Sequence, residues 1–316
     1  MSKKVGFVGA GFVGAEAARQ VMSEGIANVA LVDIVGDMAK GKALDLTEAA
    51  PILKTAKGAI GGSDYKLLQG SDVVVVTAGI PRKPGMSRDD LLKTNILITK
   101  EVCNGIRKYA PGSIVIMVTN PLDAIVYVAQ KFLEGTCKVI GMAGALDSAR
   151  FRTFLSMETG VSSDDIQAMV LGSHGDAMVP LVSSASISGI PAKELIKEKR
   201  LDEIIERTQK GGGEIVALLK TGSAYYAPGI SVASMVKSII LDENKIIPTC
   251  TQLNGEYGES GVFMGVPAIL GTNGVKKIIE VSLSQKEKKL WENSLNHVRE
   301  LMDVSDSIIK NEKIQF

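Results

Sequence analysis

The segment VGFVGAGFVG at residues 5–14 decides the fold of this chain. Its apolar start is typical of a buried strand, and three of its glycines, Gly9, Gly11 and Gly14, have the spacing G-x-G-x-x-G. Residues 13–24 then show the spacing of apolar side chains that is found in an amphipathic helix. A strand, a tight glycine turn and a helix in this order predict that the chain opens with a βαβ unit.

The rest of the first half repeats this alternation of strand and helix. Short runs rich in β-branched residues are separated by segments of helical spacing, and the predicted strands are KVGFVG, NVALVD, SDVVVVTAG, SIVIMVTN and CKVIGM. Runs that are apolar throughout are typical of parallel strands covered on both faces. We therefore predict an α/β fold, with a Rossmann-type doubly wound parallel sheet over residues 1–143.

The pattern changes in residues 144–316, where we predict an α+β substrate domain. The segments IQAMVLGS and VFMGVPAILGTNGVKKIIEV are predicted as antiparallel strands, with a hairpin turn at Asn273-Gly274. Helical patterns surround these strands at 146–160, 192–198, 202–219, 231–241 and 284–309. Three glycines at 211–213 interrupt one of these patterns, and we interpret them as a kink or a close helix contact.

Composition excludes several classes of function. The chain has 316 residues, with 36 Lys and Arg against 35 Asp and Glu, so it lacks the excess positive charge of a nucleic-acid-binding protein. Cys103, Cys137 and Cys250 lack the spacing of metal ligands, so we expect no metal site and a reducing compartment. The apolar N-terminus is broken by glycines and followed by Glu16 and Arg19, which argues against a signal peptide. No apolar run is long enough to span a bilayer, and we expect a cytoplasmic protein without a membrane or nucleic-acid partner.

The glycine turn is a candidate dinucleotide site. Gly9 would allow the tight turn, Gly11 the approach of a pyrophosphate, and Gly14 the close packing of helix on strand. The neighbouring residues would contribute backbone N–H groups at the start of the helix, and they are Ala10, Phe12 and Val13.

The end of the next strand supports the same interpretation. Asp33 lies there, at the expected distance from the turn, and would accept hydrogen bonds from an adenosine ribose. Its charge would repel a 2′-phosphate, and no arginine follows in IVGDM, so the sequence favours NAD over NADP. The alternative is an ordinary βαβ turn with an aspartate that caps a helix.

Polar residues follow two later strands, and ligands of such sheets bind beyond the carboxyl ends of the strands. Asn120 could bond both nicotinamide and substrate, or it could simply cap a helix that begins at Pro121. The loop IPRKPGMSRDD carries Arg82 and Arg88. These arginines could close over the nicotinamide and form paired bonds to a carboxylate, or they could be ordinary solvated side chains.

The second half contains candidates for proton transfer. The chain has only two histidines, and His174 in LGSHGD ends an apolar run beside a glycine that leaves room for a ligand, whereas His297 has no such setting. Asp147 and Arg150, three residues apart in LDSARF, would share one helix face. Histidine exchanges protons near neutral pH, and a neighbouring carboxylate such as Asp147 would orient its ring. The alternatives are a structural histidine and a local ion pair between the aspartate and the arginine.

The motifs GAGFVG, AGIPRKPGMSR, VTNPLD, LDSARF, GSHGD and SAYYAPG, together with Asp33, resemble those of the malate/lactate dehydrogenase family in content and order. The resemblance covers nearly the whole chain and is strongest to the lactate-dehydrogenase-like malate dehydrogenases. It implies an NAD-dependent oxidoreductase that moves a hydride between NAD and a small 2-hydroxy acid, in the tricarboxylic acid cycle. It also implies a homotetramer or a homodimer.

The resemblance further implies roles for single residues. His174 would be the acid/base, and Asp147 would orient it. Arg150 would bind the carboxylate next to the reacting carbon, and Arg88 would polarise the carbonyl oxygen. Asn120 would help position substrate and nicotinamide. Two further residues would lie close to the cofactor, and they are Asn95 and Val118.

Arg82 is the position that would select the substrate. In this family, malate dehydrogenases typically carry an arginine here and lactate dehydrogenases a glutamine, so the resemblance favours malate and oxaloacetate. With pyruvate bound, Arg82 would be enclosed without a counter-charge, and losing one partner of a buried ion pair costs roughly 3–5 kcal/mol. We therefore expect an NAD-dependent L-malate dehydrogenase. Two alternatives stay open, namely a lactate or broad 2-hydroxy-acid dehydrogenase and a non-catalytic NAD-binding module.

Overall fold

The computed structural model describes residues 3–81 and 85–315. Arg82, which was predicted to select the substrate, lies outside the described residues. No helix within these two ranges combines the length and the apolar character that are needed to cross a membrane.

In the described part of the chain, six parallel strands form one half of the main sheet. They are β1 Lys4–Val8, β2 Asn28–Val32, β3 Ala59–Gly62, β4 Val73–Val76, β5 Ile114–Met117 and β6 Lys138–Gly141. The order β3-β2-β1-β4-β5-β6 shows that the sheet grows outward in both directions from β1. This confirms the predicted doubly wound sheet. The sequence prediction lacks β3, because its sequence, AIGG, is short and half glycine.

Helices cover both faces of this sheet. The α-helices in the described ranges are α1 Phe12–Ser23, α2 Gly36–Leu53, α3 Arg88–Tyr109, α4 Leu122–Phe132, α5 Gly144–Thr159, α6 Ala192–Leu195, α7 Glu198–Leu219, α8 Tyr226–Ile240 and α9 Gln285–Asn311. α1, α2 and α8 share one apolar core with the sheet, and α3, α4 and α9 share another. In β4, Val73 and Val75 join the first core while Val74 and Val76 join the second. This explains why that strand is apolar throughout.

The second half continues the same sheet. Its strands are β7 Ile166–Gln167, β8 Val170–Gly172, β9 Met178–Pro180, β10 Ser186–Ile187, β11 Ile190–Pro191, β12 Lys245–Asn254, β13 Ser260–Gly271 and β14 Gly274–Ile278. β12 pairs antiparallel with β6 through Cys250 and Gly141, and the sheet then runs β12-β13-β8-β9. β7, β10 and β11 form a small separate sheet.

This half differs from the sequence prediction in several details, and the short strands β9, β10 and β11 were not predicted. The predicted hairpin is present, but its two-residue loop is 272–273, and Gly274 already belongs to β14. β12 was not predicted, because its sequence, KIIPTCTQLN, combines a proline with polar side chains and lacks a clear alternation. The predicted domain boundary between residues 143 and 144 falls at the start of α5, directly after β6, and stays a prediction.

α9 is fixed at its start by a buried glutamate. Glu287 is 4% exposed and accepts hydrogen bonds from the N–H of Ser183 (2.9 Å), the hydroxyl of Ser183 (2.7 Å) and the N–H of Ser284 (2.8 Å). Further along, the hydroxyl of Ser294 accepts a hydrogen bond of 2.7 Å from the N–H of Ser173. α9 therefore supports the loop that follows β8.

Replacing Glu287 by glutamine should lower the free energy of unfolding by about 2 kcal/mol at neutral pH, because the amide nitrogen would face N–H donors. Burial alone would raise the pKa of Glu287, but the hydrogen bonds from Ser183 and Ser284 outweigh it and hold the pKa below its ordinary value. The stability from the ionised form is therefore present above the unfolded pKa and is lost as pH falls through the folded pKa. Urea unfolding of both proteins from neutral to acidic pH measures this.

Glu292→Gln is the matched control, because Glu292 lies exposed on the same helix. If both substitutions had the same effect at every pH, the proposed contribution of the buried carboxylate would be wrong.

Candidate active site

The glycine turn after β1 has the close contacts that its spacing predicts. Gly9 has a φ of +103°, which side chains rarely adopt, and its N–H donates to the carbonyl of Val32 at 2.8 Å. A Cβ on Gly14 would lie 2.0 Å from the carbonyl oxygen of Gly9, whereas a Cβ on Gly11 would have nothing within 4 Å. The turn is thus packed tightly against α1 at Gly14 and open to a ligand at Gly11.

The open side of this turn faces the start of α1. Gly11 is the cap residue, so the N–H groups of Phe12, Val13 and Gly14 belong to the first turn and have no carbonyl four residues earlier in the helix. No acidic side chain occupies this turn, which leaves the positive end of the helix dipole available to an anion.

Asp33 holds the glycine turn from the end of β2. Its carboxylate accepts a hydrogen bond of 2.7 Å from the N–H of Ala10 and one of 2.9 Å from the N–H of Val35. The cap residue of α2 is Val35, so Asp33 is not the helix cap that the alternative interpretation requires. A carboxylate has about four acceptor positions, so two remain for hydroxyl groups of a ligand.

Sequence reasoning missed a lysine at the same turn. The ammonium of Lys42, on α2, donates to the carbonyl of Ala10 at 2.6 Å and lies 5.6 Å from the centre of the Phe12 ring. The Phe12 ring also stacks on Tyr225, with centroids 5.1 Å apart. Only the return of α2 across the turn brings Lys42 there, and no local motif signals it.

The predicted proton-transfer residues lie together at the edge of the sheet. Nδ1 of His174 is 2.9 Å from Oδ2 of Asp147, and the guanidinium of Arg150 is 3.4 Å from Oδ1 of the same carboxylate. Asp147 is 2% exposed, while the side chains of His174 and Arg150 are 20% and 13% exposed. α5 carries the acid and the arginine in its first two turns, and His174 follows β8 directly. The ion pair between Asp147 and Arg150 is present, and the same carboxylate also contacts His174.

A second buried carboxylate lies behind His174. Asp123, 2% exposed in the first turn of α4, accepts hydrogen bonds from the hydroxyl of Ser173 (2.7 Å) and the N–H of His174 (3.0 Å). The thiol of Cys250 donates to its other oxygen at 3.5 Å. Burial raises the pKa of Asp123, against the opposing effect of these hydrogen bonds. The sequence analysis quoted this aspartate within VTNPLD but gave it no role, because nothing local shows that α4 meets the loop after β8.

The electrostatic setting of His174 favours the imidazolium form. Burial alone would lower the pKa of His174, but the charge and hydrogen bond of Asp147, assisted by the charge of Asp123, outweigh burial and raise the pKa above its ordinary value. Arg150 opposes this increase. With Nδ1 directed at Asp147, the other ring nitrogen, Nε2, is the one left to meet a ligand.

Two asparagines are close to the ends of β4 and β5, Asn120 on the segment after β5 and Asn95 on α3. Asn120 has an exposed side chain, and the cap residue of α4 is Pro121, so helix capping does not account for Asn120. Asn95 is fully buried on α3, and its amide bonds the backbone of Ile80 in both directions and the carbonyl of Asn120 at 2.7 Å. Asn95 therefore joins the segments that follow the two strands. Its closeness to the cofactor stays a prediction.

The remaining predicted residues are placed as follows. Val118 is half-buried directly after β5, with its N–H bonded to Val76 at 2.9 Å. Arg88 is exposed at the first position of α3, after the cap residue Ser87. Arg82 lies outside the described residues, so its place relative to His174 stays a prediction.

Replacing Asp147 by asparagine should lower the pKa of His174 below its ordinary value, because burial persists while the main opposing charge is lost. Nuclear magnetic resonance titration of the ring protons measures this directly, and the chain contains just one other histidine, His297 on α9, as an internal control. An unchanged titration of His174 in the variant would show that Asp147 does not set the charge of the ring.

Comparison with known proteins assigns both halves of the chain to one family. The family model described as "lactate/malate dehydrogenase, NAD binding domain" matches residues 3–141, and that described as "lactate/malate dehydrogenase, alpha/beta C-terminal domain" matches residues 144–307. A malate dehydrogenase of Rhodopirellula baltica is 49% identical over 312 residues, which are 97% of this chain and 98% of that protein.

Solved structures show the same relationship. The apo malate dehydrogenase of Picrophilus torridus superposes with a TM-score of 0.94 at 42% identity, over 99% of this chain and 100% of that one. The lactate dehydrogenase of Cryptosporidium parvum, complexed with lactic acid and nicotinamide adenine dinucleotide, superposes with a TM-score of 0.93 at 40% identity, over 97% and 98% of the two chains. The chain belongs to the lactate/malate dehydrogenase family.

Proposed function

We propose that the protein is an NAD-dependent L-malate dehydrogenase. Residues 1–143 would bind the dinucleotide, and residues 144–316 would supply the proton-transfer residues. The observation that carries the proposal is the contact of His174 and Arg150 with the buried carboxylate of Asp147 at the edge of the sheet. Oxidation of a 2-hydroxy acid needs a group that accepts the hydroxyl proton and a cation that binds the carboxylate. His174 and Arg150, both held by Asp147, can supply these two functions.

The glycine turn fits NAD in shape and charge. The open space at Gly11 admits a pyrophosphate, the first turn of α1 offers unpaired N–H groups, and Asp33 has acceptor positions left for ribose hydroxyls. Lys42 brings a positive charge to the same turn. When bound, NAD supplies the carbon that accepts the hydride, and NADH supplies the hydride in the reverse direction.

The side chains of this protein handle the proton and the orientation. In malate oxidation, Nε2 of neutral His174 would take the hydroxyl proton, and Asp147 would stabilise the imidazolium that forms. In oxaloacetate reduction, the imidazolium would return that proton to the carbonyl oxygen, which Arg88 would polarise. Arg150 would hold the carboxylate next to the reacting carbon, and Asn120 would orient the substrate. Because the pKa of His174 is raised, the protonated form needed for reduction persists above the ordinary range of histidine.

The choice of malate rests on Arg82. The similar TM-scores to a malate and a lactate dehydrogenase show that the overall fold is shared by enzymes of both names. Oxaloacetate has a second carboxylate that would pair with Arg82, whereas pyruvate has a methyl group there. The cost of an unpaired buried charge, roughly 3–5 kcal/mol, corresponds to discrimination of about a hundredfold or more.

Steady-state kinetics with NADH should give kcat/KM for oxaloacetate at least about a hundredfold above that for pyruvate. Arg82→Gln should reduce this ratio by a similar factor, because it removes the counter-charge of the second carboxylate. Arg299→Gln, an exposed arginine on α9, is the control and should leave the ratio unchanged.

The same measurements separate the alternatives. Equal or better turnover of pyruvate would establish the lactate or broad-specificity alternative. NADH binding without turnover of either acid would establish the non-catalytic module. A ratio that Arg82→Gln leaves unchanged would place the specificity elsewhere.

We further propose a homodimer or homotetramer in the cytoplasm. Large apolar side chains lie exposed on two helices of the same face of the sheet, with Leu44 60% and Ile52 83% exposed on α2 and Ile230 47% exposed on α8. Burying them against a second copy would remove apolar surface from water. Sedimentation velocity should give the mass of a dimer or tetramer, and a monomer would contradict the proposal.

The buried, unpaired cysteines suit a reducing compartment, and recovery of the protein outside the cell would contradict that location.

A further inference from the structure

Three consecutive glycines lie in the interior of α7, which continues through them from Glu198 to Leu219. The sequence analysis interpreted residues 211–213 as a kink or a close helix contact. Glycine is the poorest helix former except proline, so a run of three in an unbroken helix calls for a physical reason.

Two of these glycines pack against the candidate substrate-binding arginine. A Cβ on Gly211 would lie 3.2 Å from Cδ of Arg150, and a Cβ on Gly212 would lie 3.6 Å from Nη2 of the same side chain. A Cβ on Gly213 would have nothing within 4 Å. Gly211 is buried, Gly212 is half-buried and Gly213 is exposed, so the contact involves one side of the helix only.

α7 is held in place beside this contact. The guanidinium of Arg207 lies 4.3 Å from the centre of the Phe154 ring on α5, and the amide of Gln209 donates to the carbonyl of Met178 at 3.3 Å. A Cβ on Gly211 would also lie 3.7 Å from the Phe154 ring. These contacts oppose a retreat of α7, so a new side chain at 211 would displace Arg150.

Arg150 is thus confined between two neighbours. Asp147 holds its Nη1 at 3.4 Å on one side, and the bare backbone of residues 211–212 covers it on another. Its side chain is 13% exposed, so most of it is enclosed by these neighbours.

We propose that Gly211 and Gly212 are positioning residues, which let α7 approach closely enough to fix the guanidinium of Arg150 where it receives the carboxylate next to the reacting carbon. This rests on the proposed function. Arginine binds a carboxylate through two parallel hydrogen bonds, so its orientation matters as well as its charge. All 2-oxo acids carry that carboxylate, so the two glycines would affect oxaloacetate and pyruvate alike, in contrast to Arg82.

The test compares alanine substitutions at the three glycines. A misplacement of about 1 Å near a reacting group can cost on the order of a hundredfold, so the smaller shift forced by Gly211→Ala should raise KM for oxaloacetate about three- to tenfold. The Kd of NADH, measured by fluorescence, should stay unchanged, because the glycine turn after β1 is untouched. Gly212→Ala, which meets Arg150 at ordinary contact distance, should have a smaller effect of the same kind.

Gly213→Ala is the matched control. It increases the helix propensity of α7 as the other two substitutions do, but its new Cβ has no neighbour within 4 Å. It should therefore raise the midpoint of thermal unfolding and leave KM unchanged. A role of these glycines in helix stability alone would give the three variants similar kinetics.

Equal KM values for Gly211→Ala and Gly213→Ala would overturn the proposal, as would a loss of NADH binding that accounts for any change in Gly211→Ala. If Gly211→Ala failed to fold, Gly212→Ala would be compared with Gly213→Ala instead. The proposal then requires that KM of the substrate rise only in Gly212→Ala and that the Kd of NADH stay unchanged in both; equal KM values would overturn it. The comparison uses whichever of oxaloacetate or pyruvate the wild-type protein reduces better, so an error in the malate assignment leaves the test intact. A wild-type protein that reduces neither acid would remove both the proposed function and this role.

Discussion

The carboxylate of Asp147 is the interaction on which the rest of the site depends. It is 2% exposed, and its two oxygens face two different side chains, His174 at 2.9 Å and Arg150 at 3.4 Å. Removing it would leave the guanidinium of Arg150 enclosed without its counter-charge, which is costly in a medium that solvates charge poorly, and His174 would lose the charge that favours its imidazolium form. Asp123 accepts a hydrogen bond from the backbone N–H of His174 and thereby fixes the position of the backbone that carries the imidazole ring.

The main features of the fold and most site residues follow from the sequence, for reasons that these residues make clear. Parallel strands covered on both faces must be apolar throughout, so the four valines of β4 identify it without an alignment. The spacing of Gly9, Gly11 and Gly14 is a local constraint of one turn, and the 2.0 Å separation found for a Cβ on Gly14 shows how strict that constraint is. The prediction that Asp147 and Arg150 share a helix face is likewise local, because three residues complete most of a turn.

The residues that escaped prediction depend on contacts between distant segments. Asp123 meets His174 across 51 positions, and Lys42 reaches Ala10 across 32. β12 was overlooked for a related reason, since its pairing with β13 and β6 rather than its own pattern makes it a strand. The closeness of Asn95 to the cofactor stays a prediction, but its hydrogen bonds to the backbone after β4 and β5 were not foreseen. In each case the identity of the partner, which the local sequence does not contain, determines the role.

The charges of the described site bear on the role that we propose for Arg82. Arg150 already faces Asp147, and only 13% of its side chain is exposed. In the proposed function it binds one substrate carboxylate, so the second carboxylate of malate would need another cation, and Arg82 lies in the segment between β4 and α3. An arginine fixed beside the sheet would be enclosed without a counter-charge whenever the site lacked substrate. The proposed role therefore requires that Arg82 become enclosed only when the diacid provides the opposite charge, because selectivity would then not destabilise the free protein.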